Sequence, residues 1–147
     1  ICHGNICRSP MCEFVFRDMV RQSGLSEQVA IASAATSCEE LGNPVYPPAR
    51  RILEQHGISC EGKTARRMNR EDYNCYDRII AMDRNNLRNM CRICGADDDG
   101  KFSLLMDYTD RPGDVADPWY TRDFEATWRD VEEGCRGLLK DITQQLL

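Results

Sequence analysis

The stretch that most constrains this chain is its opening one, "CHGNICRSP", residues 2–10. Gly4 and Asn5 tolerate left-handed backbone, so the amides between Cys2 and Arg8 can curl inward as a nest for an anion. Ser9 and Pro10 read as the cap and first turn of a helix that Gly24 ends, and its positive dipole end faces the same nest. Arg8 adds a planar fork of donors matched to phosphate oxygens. A thiol in such surroundings loses its proton easily, which makes Cys2 a nucleophile aimed at phosphorus. The chemistry expected of this loop is covalent phosphoryl transfer. A Cys with an Arg six places later means little alone; the Gly-Asn between them and the Ser-Pro after them make the combination specific.

Such a loop belongs where a strand turns into a helix at the carboxyl edge of a parallel sheet. The rest of the chain supplies the other elements. "VAIASAA" (29–35) reads as a buried strand, "PPARRILEQHG" as a short helix stopped at Gly57, and "NREDYNC" as a helix capped by Asn69. "YDRIIAMD" (76–83) reads as the next strand, "RNNLRNMCRICG" as a helix ending at Gly95, and "GKFSLLMDY" as holding a short strand. A long loop, "TDRPGDVADPWYTRD", precedes a terminal helix with Phe124, Trp128, Val131, Cys135, Leu138 and Ile142 on one apolar face. Alternating strands and helices predict one α/β doubly wound domain over residues 1–147. Its sheet is mostly parallel, about four-stranded, flanked by helices, with the phosphate-binding loop at the end of the first strand. Only Ile1 precedes Cys2, so several apolar residues are expected upstream to complete that strand; an intact mass matching 147 residues would refute this.

With 41% hydrophobic residues the chain can bury a real core, and a net charge of −5 argues against a nucleic-acid or acidic-membrane partner. No apolar run approaches the length of a membrane span. The nine cysteines are odd in number and irregularly spaced, which fits reduced thiols and a cytoplasmic location better than a disulfide framework. Cys91 and Cys94 form a lone CxxC without a partner pair, so no zinc site is expected, and nothing calls for another metal or a cofactor.

Expelling an alkoxide or phenoxide from phosphorus needs a proton donor near the leaving oxygen. His3 and His56 are better read as structural, and "ADDDG" (96–100) as a charged turn. Asp117 differs, because rigid Pro118 follows it and Trp119 and Tyr120 can wall a slot for a flat ring.

"CHGNICRSP", together with "SAATS" (33–37), "YDRIIAMD" and "DPWY" (117–120), resembles the low-molecular-weight protein tyrosine phosphatases over most of the chain. The resemblance implies hydrolysis of phosphotyrosine in proteins or peptides by a monomer or weak dimer. Residue by residue it implies Cys2 as nucleophile, Arg8 as transition-state clamp, and Asp117 as general acid and then base toward water. Ser9 would hydrogen-bond the sulfur and Asn5 would hold the loop in shape. His3, Gly4, Ile6 and Cys7 would complete the loop around the phosphate, with Ser33 and Asp83 supporting it from behind. Cys7 matches a position that closes a reversible disulfide with the nucleophile; the other reading of Cys7 is a small buried residue.

Three features qualify that picture. Many relatives carry an aromatic in the loop where this chain has "TSCEELG", which places Glu39 and Glu40 near the mouth; Arg66 and Arg67 are better read as a solvated surface than as counter-charges to them. Protein arginine phosphatases share the loop but typically have threonine where this chain has Ile6, so Ile6 favours an aryl substrate. Thioredoxin-coupled arsenate reductases share the fold and use further cysteines; Cys75, Cys91 and Cys94 are available, while "DPWY" argues for aryl phosphates. A phosphotyrosine-binding module without catalysis is the remaining alternative, and every catalytic residue type is present.

Overall fold

The computed structural model describes all 147 residues, Ile1–Leu147. Its regular ladder is parallel: β1 (Ile79–Ala81) pairs with β2 (Phe102–Leu104), Ile79 opposite Phe102 and Ala81 opposite Leu104. On the other side of β1 the Ile1 amine donates to the Ile80 carbonyl at 2.7 Å, and the Met82 amide donates to the Ile1 carbonyl at 3.1 Å. Cys2 then bridges Ala35 in parallel, and Ala35 bridges Arg67. Across the sheet the order is Arg67, Ala35, Cys2, β1, β2, which puts the opening residues inside and delivers the loop after Cys2 to its carboxyl edge. Of the four expected strands, two are short regular strands and the others are reduced to single bridged residues, Cys2 and Ala35. Along 29–35 only Ala35 is bridged. The rest of that segment faces a groove of about 600 Å³ lined by Val29, Ile31, Phe16, Ile80, Leu138 and Ile142.

The helices fall where the periodicity places them, with shifts at two functional ends. α1 (Arg8–Gln22) starts one residue before Ser9, with Cys7 at the cap position and no side-chain cap. Ser9 therefore does not cap, and its hydroxyl is free for the loop. α2 (Pro47–Gln55) ends before Gly57, whose φ of +74° only a glycine adopts at little cost. α3 (Arg70–Cys75) is closed by an Asn69–Asp72 capping box, and α4 (Arg84–Cys94) by an Asp83–Asn86 one. A 3₁₀ turn (Leu105–Tyr108) follows β2. The long loop is not wholly irregular: Asp117 caps a short helix, α5 (Pro118–Thr121), before α6 (Phe124–Leu146) closes the chain.

The sheet separates two apolar cores. Alternate residues of β1 serve each: Ile79 and Ala81 join Met68, Met90 and Leu104 on the α3–α4 face. Ile80 and Met82 belong to the larger core that α1, α2 and α6 cover with Met11, Val15, Leu53, Val131 and Leu138. Within that core Cys12 of α1 meets Cys135 of α6, sulfur to sulfur at 3.5 Å.

The register of α6 is set by two glycines. A Cβ at Gly137 would lie 1.8 Å from the Tyr108 carbonyl oxygen, and one at Gly134 would lie 2.4 Å from Leu105 Cγ. Glycine in a helix interior costs roughly 1 kcal/mol each, so these residues trade helix propensity for close approach to the 3₁₀ turn. Gly137→Ala forces α6 off backbone rather than off a flexible side chain. It is expected to lower stability by about 3 kcal/mol in urea unfolding, well beyond the gain in helix propensity.

Candidate active site

The loop after Cys2 is held by its own side chains. Asn5 adopts φ +60°, a left-handed conformation that costs a non-glycine residue roughly 1–2 kcal/mol. Its buried side chain repays this with three hydrogen bonds. The amide nitrogen donates to Ser9 Oγ at 2.8 Å and to Ser33 Oγ at 2.9 Å, while the oxygen accepts from the Arg66 amide at 3.2 Å. The Asn5 backbone N–H donates to the Cys2 sulfur at 3.3 Å, and Ser9 Oγ lies 2.9 Å from that sulfur. Cys2 is buried, at the floor of a cup whose polar groups converge on one sulfur atom.

Arg8 is the second feature. Its guanidinium donates to Asp83 at 2.7 Å, to the Val115 carbonyl at 3.1 Å and to Asp117 at 3.3 Å. Burial alone lowers the affinity of Arg8 for its proton, but the Cys2 sulfur and the Asp83 carboxylate outweigh it and raise the pKa above the ordinary arginine value. Asp83 thus has two duties, cap of α4 and partner of Arg8. Asp117 repeats the pattern: one oxygen accepts from the Trp119 amide at 3.0 Å as the cap of α5, and the other faces Arg8.

The sequence-derived residues divide by position. Cys2, Asn5, Ser9 and Ser33 are brought into one hydrogen-bonded network, and Arg8, Asp83 and Asp117 into a second close enough for the Cys2 sulfur to act on Arg8. The His3 ring points away from it and pairs with Glu39 at 2.9 Å on the exposed rim. Glu40 packs its stem over Gly4, where a Cβ would sit 3.3 Å from Glu40 Cγ. Arg66 does not balance these acids, since its guanidinium pairs with Asp72. Trp119 and Tyr120 are exposed, and Trp119 stands edge-on to Tyr46 with ring centroids 5.9 Å apart. The Tyr46 amide in turn donates to the Ile6 carbonyl at 2.9 Å. Tyr46 and Trp119 therefore stand together beside the loop that carries Ile6.

Sequence reasoning missed Tyr46, Glu13 and Lys63. Tyr46 had a weak signal, an aromatic beside Pro47 and Pro48 ahead of a helix. Glu13 drew no comment as a sequence, yet its side chain is 4% exposed and accepts from Ser33 at 2.5 Å.

Cys7 sits at the start of α1, and all nine cysteines are free thiols. Burial, followed by the neighbouring Cys2 sulfur, pushes the Cys7 thiol up to about 12. Between the ordinary thiol range and that value the unfolded chain has lost the Cys7 proton while the folded chain keeps it. Stability must then fall as pH rises above about 9, by up to about 1.4 kcal/mol per pH unit from this group. Urea unfolding of Cys7→Ala across pH 9–11 is expected to show a shallower alkaline decline than the parent; an identical decline would contradict the burial of this thiol.

Comparison with known proteins places this architecture. The sequence model described as "low molecular weight phosphotyrosine protein phosphatase" matches residues 1–146. The chain is 36% identical to the Bacillus subtilis low molecular weight protein-tyrosine-phosphatase YfkJ, covering 99% of this chain and 94% of that protein. The YfkJ crystal structure superposes with a TM-score of 0.94, covering 98% of this chain and 92% of that one. The low molecular weight protein tyrosine phosphatase SP-PTP of Streptococcus pyogenes is 39% identical with a TM-score of 0.85, covering 95% and 88%. A Drosophila arginine phosphatase is also similar in structure, at 26% identity and a TM-score of 0.86, covering 96% and 94%. The chain belongs to the low molecular weight phosphotyrosine protein phosphatase family.

Proposed function

We propose that this protein hydrolyses phosphotyrosine in proteins or peptides through a phosphocysteine on Cys2. The observation that carries the reading is the buried Cys2 sulfur, fixed between the Asn5 N–H and the Ser9 hydroxyl beside the Arg8 guanidinium. The sulfur attacks phosphorus while Arg8 and the loop amides bind the equatorial oxygens. Asp117 gives its proton to the departing tyrosyl oxygen. Asp117 then takes a proton from water as that water attacks the phosphocysteine, and the Ser9 hydroxyl steadies the sulfur as it leaves. Besides substrate and water, each step uses side chains and amides of this chain.

The edge-on pair of Tyr46 and Trp119, tied to the loop through the Ile6 carbonyl, supports an aromatic leaving group, because it sets aromatic edges beside the loop. Phosphoarginine is the second reading, on the same loop and mechanism; the apolar Ile6 side chain speaks against it. In the redox reading of Cys7 a peroxide oxidises the Cys2 thiol to a sulfenic acid and is itself reduced to water, and the sulfenic acid condenses with the Cys7 thiol and releases a second water; the burial that holds the Cys7 proton slows this second step. A cytoplasmic setting agrees with nine free thiols, and no helix of the chain is long and apolar enough to cross a membrane.

Phosphate release from a phosphotyrosine and a phosphoarginine peptide, measured in parallel, tests the reading. Release from phosphotyrosine is expected, and Cys2→Ser abolishes it. Asp117→Asn is expected to lower kcat on the tyrosine substrate by roughly 10²–10⁴, and less on an aryl phosphate whose leaving group needs no proton. Preference for phosphoarginine would overturn the substrate and leave the mechanism standing.

A further inference from the structure

Away from the cup, the sulfurs of Cys12 and Cys135 touch at 3.5 Å. They stand 123 residues apart in sequence and meet where α1 packs on α6. Theirs is the one hydrogen bond between two sulfurs in the molecule; the Cys2 sulfur is engaged instead by Ser9 and the Asn5 N–H. The Cys135 sulfur also lies 3.8 Å from the Cys12 carbonyl oxygen, so it is seated against that residue from two directions. Cys135 is wholly buried, and Cys12 packs against the same core.

Two thiols packed only as small apolar groups would also touch. This pair differs because neither helix can carry its thiol away. α6 is held along its axis by Gly134 and Gly137, the residues flanking this contact, which lie against Leu105 and the Tyr108 carbonyl. α1 is held one turn before Cys12 by the ion pairs of Arg8 with Asp83 and Asp117. Between such fixed supports each sulfur meets the other at an effective concentration that no dissolved thiol reaches. A bond of about 2.05 Å needs an approach of roughly 1.5 Å, which falls to the two side chains because the helices are fixed. The thiols are also unequal. The hydrogen bond from Cys135 lowers the pKa of the Cys12 thiol, while burial pushes the Cys135 thiol up. Cys12 is the sulfur that ionises, and Cys135 keeps its proton. A core packed this closely admits a small oxidant and excludes a bulky one.

We propose that Cys12 and Cys135 are a second redox site, closed by hydrogen peroxide into a reversible disulfide that staples α1 to α6 and leaves Cys2 out. The Cys12 thiolate attacks the O–O bond and takes one oxygen as a sulfenic acid; the other oxygen leaves as hydroxide and is protonated to water. The Cys135 sulfur then attacks the sulfenic sulfur. The S–S bond forms, the S–O bond breaks, and the hydroxyl leaves with the Cys135 proton as a second water. The pair gives up two electrons, and one peroxide is reduced. A dithiol reductant reverses the step. Cross-linking residues so distant in sequence removes freedom from the unfolded chain, so the oxidised protein resists unfolding more than the reduced one.

The test treats the folded Cys7→Ala protein with hydrogen peroxide, so that no Cys2–Cys7 pairing takes part. Remaining thiols are then alkylated in urea, and the tryptic peptides are weighed without reduction. The expected product joins peptides 9–17 and 130–136 through Cys12 and Cys135, lighter by two hydrogens than the two thiol peptides together. Dithiothreitol should abolish it. The urea midpoint should rise on oxidation by about 1 M or more, and adding Cys135→Ala should remove that rise. The same treatment of the unfolded chain in urea should make this pairing a minor one among its cysteines. Recovery of Cys12 and Cys135 as alkylated thiols after Cys2 has been oxidised would overturn the proposal. So would Cys12 as a sulfinic acid beside an unchanged Cys135, an equal yield from the unfolded chain, or a cross-link with no rise in midpoint. If the Cys135→Ala protein does not fold, the peptide map and midpoint of the Cys7→Ala protein decide by themselves. No phosphorylated substrate enters the test, so the result stands whichever substrate the enzyme takes.

Discussion

The buried guanidinium of Arg8 is the constraint around which this molecule is arranged. A cation taken out of water must be met by carboxylates and carbonyls, and removing one partner from such a group is costly. Here the partners come from three separate places: Asp83 after β1, the Val115 carbonyl in the long loop, and Asp117 at the start of α5. Both carboxylates also begin helices. The electrostatic need of one arginine therefore fixes where α4 and α5 start and where the loop between the 3₁₀ turn and α6 must return. The phosphate loop and the scaffold around it are stabilised by the same contacts.

A second layer is entropic and steric. Asn5 is held in a backbone conformation it would leave if free, and its three side-chain hydrogen bonds tie the loop to α1, to Ser33 and to the backbone at Arg66. These tethers reach the sheet bridges at Ala35 and Arg67 on one side and the helix interior on the other. A loop strained in this way keeps its shape without a ligand, so little reorganisation is left for binding.

Much of this was legible in the sequence because the signals were local. Glycine and asparagine at the turn, Asn69 and Asp83 before periodic runs, and an apolar face repeating through Trp128 and Leu138 each report on neighbours a few residues away. The parallel sheet followed from the alternation of such segments. What stayed hidden was set by contacts distant in sequence. Ser9-Pro10 looks like a helix cap, yet α1 begins at Arg8 and the hydroxyl turns to Cys2. Nothing local marks Glu13, whose helical position turns it under Ser33 and Lys63. Tyr46 joins the rim only because α2 and α6 bring it to Trp119 and Phe124. The segment from Val29 had strand composition but no ladder, since ladder formation depends on what lies alongside and not on propensity.

The contact between Gly137 and the Tyr108 carbonyl has an evolutionary corollary. A shift of α6 by one residue would bring Arg136 or Leu138 against that carbonyl, where no Cβ fits. Length changes in the connection spanning 109–123 can therefore not be passed on to the helix behind it. They must be absorbed inside the connection, ahead of the point where Val115 and Asp117 return to Arg8. Insertions and deletions tolerated by descendants of this chain should cluster at 109–114, and the reading frame of the terminal helix should stay invariant while that short stretch drifts.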